Sequence, residues 1–454
     1  MSEGFDETIF ALASGSGRAG VAVFRLSGPR AGAVLRLVTG GELPVPRQAV
    51  LRWLCDPAIA GEAGRIDQAL VIWFPGPASF TGEDVVEFHL HGGLAVMTAF
   101  ATALGRIEGV RTAEAGEFTR RAFENGKLDL TEVEGLADLI GAETEMQRRQ
   151  ALRQLGGGLA ELCAQWREAL VAAAAFLTAE IDFADEELPD GVGDEGIRRL
   201  SALRAEIGRH LADDMRGEVL RRGVRVAILG VPNAGKSSLL NKLARREVAI
   251  VSNEAGTTRD IIEVHLDLGG MPVIALDTAG LRETENAIEQ EGVRRARQAA
   301  EQADMQLILL DGENWPHMGT EFESLWSDAA LICVNKADML TTADREAIGA
   351  KGWLAVSATT GEGVDALLDT LSGRIRAEFA VGDGGVLTRA RHRRHLQDCL
   401  NFLDQAAFAA VDGGEVELIA EDVRLAGQAL GRITGRVDVE DILDVVFGEF
   451  CIGK

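Results

Sequence analysis

The stretch VRVAILGVPNAGKSSLLNKLARR, residues 224–246, decides how the chain is read. VRVAIL is a short apolar, β-branched run of the kind buried on both faces of a parallel sheet. GVPNAGKS, Gly230 to Ser237, then follows the pattern GxxxxGK[ST], and the next residues open a helix. Glycines at 230 and 235 let the backbone curl so that its N–H groups and the helix N-terminus surround phosphate oxygens. Lys236 would reach the β- and γ-phosphates, and the Ser237 hydroxyl would ligate Mg²⁺. Asn233, Ala234, Gly235, Lys236, Ser237 and Ser238 are the candidate phosphate contacts.

Three further motifs follow in order. DTAG (Asp277, Thr278, Ala279, Gly280) ends a strand, where Asp277 can hold the metal's water shell and the Gly280 N–H can sense a γ-phosphate. NKAD (Asn335, Lys336, Asp338) selects the base. The Asp338 carboxylate can accept from guanine N1–H and the 2-amino group together, a donor pair that adenine lacks, so GTP is expected over ATP. SAT (Ser357, Ala358, Thr359) closes the base pocket through backbone N–H groups. The segment Ser252, Asn253, Glu254, Ala255, Gly256, Thr257 and Thr258 completes the nucleotide contacts, with Thr258 as a second Mg²⁺ ligand.

Two departures bear on hydrolysis. Ras-like enzymes carry a water-orienting Gln after DTAG, whereas this chain has Leu281, so another residue must do that work. Glu289 in LRETENAIEQEG is the acidic candidate; a solvated carboxylate near a helix start is the alternative. Asn233 either suits a left-handed turn or, with the loop before Thr258, holds a monovalent cation against the phosphates. Arg259 in GTTRD is the rival source of that charge.

Composition bounds the rest. A chain of 454 residues that is 46% hydrophobic exceeds one core, so two or three domains are expected. The net charge of -25 repels nucleic acid at long range, so any RNA contact must be local or shared with a partner. Basic clusters at Arg221, Arg222 and Arg225 and at Arg389, Arg391, Arg393 and Arg394 read either as such contacts or as solvated helix faces. Cys55, Cys163, Cys333, Cys399 and Cys451 contain no CxxC pair, which argues against a disulfide framework or zinc site and fits a reducing cytosol. No secretory leader or membrane span is expected. His89 and His91 read as packed or backbone-bonded residues, with nothing to make them metal ligands.

Along the chain, residues 1–118 mix strands (GVAVFRLSG, QALVIWFPG, DVVEFHLHGG) with a helix and read as an α+β domain. Residues 119–220 are helical, residues 221–377 form an α/β domain with a mostly parallel sheet, and 378–454 return to helix. The fold class is therefore multidomain, with an α/β nucleotide domain inserted into a helical domain. The chain ends on EDILDVVFGEFCIGK, apolar almost to its last residue although ends usually fray. A stripe of Ile442, Val446, Phe447 and Phe450 is expected to dock. Cys451 is then either a small buried hydrophobe or a thiolate favoured by nearby Lys454, able to act as a nucleophile.

GVPNAGKSSLLN, GTTRD, DTAGLRET, FTGEDVVEFHLHGG, AGEFTRRAFENGKLDLTEVEGLADLI and EDILDVVFGEFCIGK together resemble the tRNA-modification GTPase MnmE (TrmE) family over essentially the whole chain. Ala234 stands where family members often show Val, a change expected to be neutral. The resemblance implies a cytoplasmic homodimer working with the FAD-dependent protein MnmG on the wobble uridine of tRNAs. It also implies a tetrahydrofolate derivative, 5-formyl- or methylene-tetrahydrofolate, bound by an N-terminal domain that also dimerises. By position it makes Arg25, Glu87, Lys127 and Lys454 folate contacts, and Asn233, Ser252, Glu254 and Thr257 ligands of K⁺. Glu289 becomes the residue that orients water. Without the resemblance, Arg25, Glu87 and Lys127 read as structural polar residues. The competing reading is a ribosome-assembly GTPase of the Era or EngA type, but no KH-type RNA-binding module is recognised after the nucleotide domain, where the sequence returns to helices.

Overall fold

The computed structural model describes residues 6–15, 17–182, 192–212, 215–231, 233–246, 248–250, 263–277, 301–316, 330–379, 386–412, 415–437, 443, 446–448, 450 and 452–453. They form two compact units. One comprises Met1–Ala137, Gln154–Gly196 and Ala409–Lys454; the other comprises Asp138–Arg153 and Ile197–Phe408.

The first part of the chain runs β1 (Thr8–Leu12), β2 (Ala19–Ser27), α1 (Ala31–Thr39), β3 (Val50–Cys55), β4 (Arg65–Phe74), β5 (Val85–Gly92), α2 (Leu94–Gly105) and β6 (Val110–Thr112). The strands make one sheet in the order β3-β4-β5-β2-β1-β6, with β6 parallel to β1 and the other pairs antiparallel. Period-two alternation divides its faces. Ala22, Phe24 and Leu26 of β2 and Val86, Phe88 and Leu90 of β5 pack beneath Val34, Leu35 and Val38 of α1 and Phe100 and Leu104 of α2. Phe100 meets Phe24 and Phe88 edge-on at 5.5 and 5.0 Å between ring centroids. Truncating such a ring to Ala costs about 3–5 kcal/mol. The alternate residues Arg25, Ser27, Glu87 and His89 face the other way.

A helical run follows: α3 (Glu117–Glu124), α4 (Leu130–Gly141), α5 (Glu145–Leu155), α6 (Gly158–Asp182), α7 (Val192–Leu211) and α8 (Arg216–Arg222). The nucleotide domain then comprises β7 (Val224–Leu229), α9 (Lys236–Leu243), β8 (Glu263–Leu268), β9 (Met271–Asp277), β10 (Met305–Asp311), β11 (Leu331–Asn335), α10 (Thr342–Ala350), β12 (Leu354–Ala355) and α11 (Val364–Phe379). Helices α12 (Ala390–Val411) and α13 (Val416–Thr434) close the sequence of long elements. Within the first unit α13 packs along α6, so helices that flank the α/β domain in sequence meet in space, as an insertion requires.

The second sheet has the order β12-β11-β10-β7-β9-β8, parallel except for β8 against β9. Val226, Ile228, Leu307, Leu309 and Cys333 join one core, while Ala227, Leu229, Ile308, Leu310 and Val334 join another. Burial on both faces is why these strands read as unbroken apolar runs. Strand β8, EVHLDL, lacks the unbroken apolar run of its neighbours. It is an edge strand that buries Val264, Leu266 and Leu268 on alternate positions and leaves polar residues between them.

Candidate functional site

The nucleotide motifs gather at the C-terminal ends of the parallel strands, where an open α/β sheet binds ligands. β7 leads into the phosphate loop, β9 ends on Asp277, β11 ends on Asn335, and β12 leads to Ser357. Asn335 ties three of these together. Its Nδ2 donates to the Ala234 carbonyl at 2.7 Å, and its Oδ1 accepts from the Ala358 N–H at 3.0 Å. One of the SAT N–H groups is therefore engaged in holding the loops together. Ala234 and Ser357 are fully buried, whereas Ser238, Thr359 and Asn233 are exposed. Asn233 has φ 65°, the left-handed geometry that Asn tolerates.

Lys236, only 8% exposed, donates to the Gly230 carbonyl at 2.8 Å and the Val231 carbonyl at 3.1 Å. Burial draws its pKa below the usual lysine value, opposed by the charge of Asp277. Ser237 Oγ donates to Asp277 Oδ2 at 2.6 Å. A hydroxyl and a buried carboxylate in contact form a hard oxygen pair that fits Mg²⁺ with phosphate oxygens completing the shell. Ser357 Oγ donates to Asp338 Oδ1 at 2.5 Å, so a buried hydroxyl orients the exposed carboxylate expected to read guanine. Lys336 lies between Asn335 and Asp338 in the left-handed region, its amine on Asp311. Ser252, Asn253, Glu254, Ala255, Gly256, Thr257, Thr258, Arg259, Thr278, Ala279, Gly280 and Glu289 lie outside the described residues.

A second polar constellation occupies the open face of the first sheet. Arg25 and Glu87 are directly paired across β2 and β5, and two guanidinium nitrogens reach Glu87 Oε1 at 3.1 and 2.9 Å. The Arg25 guanidinium also lies 5.2 Å from the Phe80 ring centroid and 5.9 Å from that of Phe118. His89 Nε2 approaches Glu87 at 3.5 Å, and His91 Nδ1 bonds Asp67 at 2.8 Å. Lys127 is exposed and donates to the Pro77 carbonyl at 3.2 Å, so the loop that carries Phe80 to Arg25 also receives Lys127.

Behind this face stands a network that sequence reasoning did not find. Ser27 contacts Thr81 and Glu83 at 2.7 Å each; fully buried Arg121 bonds Glu83 at 3.1 Å and Glu117 at 2.9 Å; Arg111 reaches Glu117 at 2.7 Å. Burial pushes the Glu117 carboxyl up. The bonds from Arg111, the Glu114 N–H and Arg121 outweigh it and hold the group below its ordinary range. The signal was present in FTGED and GEFTRR as charged residues among apolar ones, but their partners are distant in sequence.

The terminal stripe docks on the first unit. Leu443, Val446, Phe447 and Phe450 bury against Leu130, Val133 and Phe123, so Leu443 joins the expected stripe. Ile442, Cys451 and Lys454 lie outside the described residues. Ile452 forms an antiparallel bridge with Ala115. Backbones approach closely at two glycines with positive φ: a Cβ at Gly116 would overlap the Phe447 carbonyl, and one at Gly453 would overlap that of Leu12.

The basic clusters are largely engaged in ion pairs and backbone contacts. Arg222 pairs with Asp304 at 2.8 Å, Arg389 with Asp138 at 2.9 Å and Arg393 with Glu218 at 2.8 Å, while Arg221 donates to the Thr388 carbonyl at 3.0 Å. Cys55, Cys163, Cys333 and Cys399 are unbridged, and burial pushes the Cys333 thiol up to about 12. Among the described residues no helix is long and apolar enough to cross a membrane, and no cluster of His, Cys, Asp and Glu is built to hold a metal.

Known proteins match this arrangement along the whole chain. The MnmE helical domain family matches residues 130–451, and the GTP-binding protein TrmE N-terminus family matches residues 8–127. The tRNA modification GTPase MnmE of Parvibaculum lavamentivorans is 54% identical over 99% of this chain and 100% of its own length. The same-named protein of Paramagnetospirillum magneticum is likewise 54% identical over 99% and 100%. The human protein named 5-taurinomethyluridine-[tRNA] synthase subunit GTPB3, mitochondrial, is 49% identical over 99% of this chain and 94% of its own length. With both family models and full-length relatives matching, the chain belongs to the MnmE (TrmE) family of GTPases, which bind GTP and Mg²⁺.

Proposed function

We propose that this chain is the GTP-hydrolysing component of a complex that adds an aminomethyl-type group at C5 of the wobble uridine of tRNAs. The observation that carries the reading is the docked terminus. Gly453 lies against the carbonyl of Leu12, whose neighbour Ala11 pairs in register with Arg25. The end of the chain is thus held at the sheet that carries Arg25 and Glu87, where Cys451 and Lys454 would serve chemistry separate from GTP hydrolysis.

In the nucleotide domain, N–H groups at the start of α9 and the Lys236 ammonium would take the phosphates, and Ser237 and Thr258 would hold Mg²⁺, with Asp277 on its water shell. Mg²⁺, when bound, neutralises charge on the phosphate oxygens. Glu289 would orient the attacking water. Asn233, with Ser252, Glu254 and Thr257, would hold K⁺, which supplies the charge that an arginine finger supplies elsewhere. Hydrolysis should therefore be at least about tenfold faster in K⁺ than in Na⁺. Equal rates, with a severe loss in Arg259→Ala, would give the role to Arg259.

On the sheet face, Arg25 fixes the orientation of Glu87, and Phe80 and Phe118 border the guanidinium with flat apolar surface. That donor set fits a polar ring system such as a tetrahydrofolate derivative, 5-formyl or methylene, which would supply the one-carbon unit; Lys127 and Lys454 would hold its charged end. The protein would act in the cytoplasm as a homodimer with the FAD-dependent protein MnmG, and tRNA contact would be local or shared with that partner. The corresponding division is 1–118, 119–220, 221–377 and 378–454. Mass spectrometry of wobble uridines from cells lacking the gene tests the reading; an unchanged nucleoside profile would sink it.

A further inference from the structure

We infer that Asp311 is a positioning residue for guanine-nucleotide binding that acts through Lys336. The inference rests on the reading of Asn335–Asp338 as the base-recognition segment. Asp311 ends β10 and pairs in register with Asn335, the end of β11. Its side chain is 8% exposed, accepts from Lys336 Nζ at 2.8 Å through Oδ2 and accepts from the Glu313 N–H at 3.0 Å through Oδ1. Glu313 gives the amine a second, half-exposed contact at 3.2 Å.

The backbone explains why this anchor matters. Lys336 adopts φ 63° and ψ 38°, a region that few residues other than glycine enter. That turn accompanies two separate attachments: Asn335 bridges the Ala234 carbonyl and the Ala358 N–H, while Asp338 meets the Ser357 hydroxyl. Gly312 lies so close beneath the strand end that a Cβ there would overlap the Asn335 carbonyl. Asp311, Gly312 and Glu313 therefore clamp Asn335 and Lys336 from the neighbouring strand. A charge-assisted bond to a well-buried carboxylate holds the amine, and with it the left-handed turn, before nucleotide arrives.

The competing role for Asp311 is local, as the cap of the 3-10 turn Gly312–Asn314. Full-length Asp311→Asn, Lys336→Met and the double variant separate the two, read by the Kd of a fluorescent GDP analogue and by KM and kcat for GTP. Asp311→Asn is expected to raise Kd and KM by about 10–100-fold, with kcat at saturating GTP within about twofold of wild type. In the Lys336→Met background it should add nothing. An equal loss in both backgrounds, or an unchanged Kd in the single variant, overturns the inference. If Asp311→Asn also lowers the unfolding midpoint, Asp311→Ser decides, because it keeps a cap acceptor without the charge; wild-type affinity in that variant overturns the inference. A wild-type chain with no affinity for GDP would instead sink the base-recognition reading.

Discussion

The nucleotide site and the polar sheet face are built on opposite plans. At the nucleotide site each contributing string is contiguous, Gly230–Ser237, Asn335–Asp338 and Ser357–Thr359, and each follows a strand of one parallel sheet. A loop at a helix N-terminus offers backbone N–H groups to phosphate, so such a site can be written into runs of neighbouring residues. On the sheet face the polar groups are side chains, and they come from far apart. Arg25 and Glu87 are 62 positions apart and meet only because β2 and β5 pair in one register. A one-residue slip would send Arg25 into the core and Phe24 into water. The terminus reaches the same sheet from the other end of the chain, with Gly453 against the Leu12 carbonyl of β1.

If the two regions are functionally separate, damage to one should spare the other. Deleting residues 451–454 should reduce wobble-uridine modification to background while GTP turnover stays within about twofold, since Val446, Phe447 and Phe450 keep their burial. Modification that survives the deletion would make the terminus a packing element only. In the other direction, Glu289→Ala should lower kcat for GTP by about 10–100-fold with little change in nucleotide affinity, because orienting water is a transition-state task. A wild-type turnover would remove Glu289 from the mechanism. Asp338→Asn should weaken GTP binding by about tenfold or more and erase the preference over ATP. A variant that still discriminates the bases would contradict the role given to that carboxylate.

The smallest effect sharpens the comparison through stability. Glu117 is bonded to Arg111 and Arg121, and its folded pKa lies below the ordinary 4.5. A depressed folded pKa means that its contribution is complete above the unfolded value and is lost as pH falls through the folded one. Glu117→Gln should cost about 3 kcal/mol near neutral pH. The gap to wild type should shrink below about pH 4. Urea unfolding at both values measures it. A gap that does not change with pH would mean that shape rather than charge holds Arg121 in place, while GTP hydrolysis should be unaffected throughout.

How much was legible follows from where the partners are. The phosphate loop, DTAG, NKAD and SAT are visible as patterns because each is a local string that follows a strand. The docked end was legible as a need, because apolar residues near a terminus must find cover; that they find it at Phe123, Leu130 and Val133 was not. Strand β8 escaped because an edge strand with alternating polarity lacks the apolar run that marked its neighbours.

By itself the sequence determined that the chain has a guanine-nucleotide domain inserted between helices behind an α+β domain, because those features reside in local pattern and spacing. Tertiary structure alone decided that Arg121 is buried among Glu83 and Glu117, that Asp311 grips Lys336, and that Gly116 and Gly453 let the terminus lie against the first sheet. Each of these depends on strand register or on close backbone approach between residues remote in sequence. A desolvated charge needs its partner at hydrogen-bond distance, and no one-dimensional pattern records which distant residue supplies it.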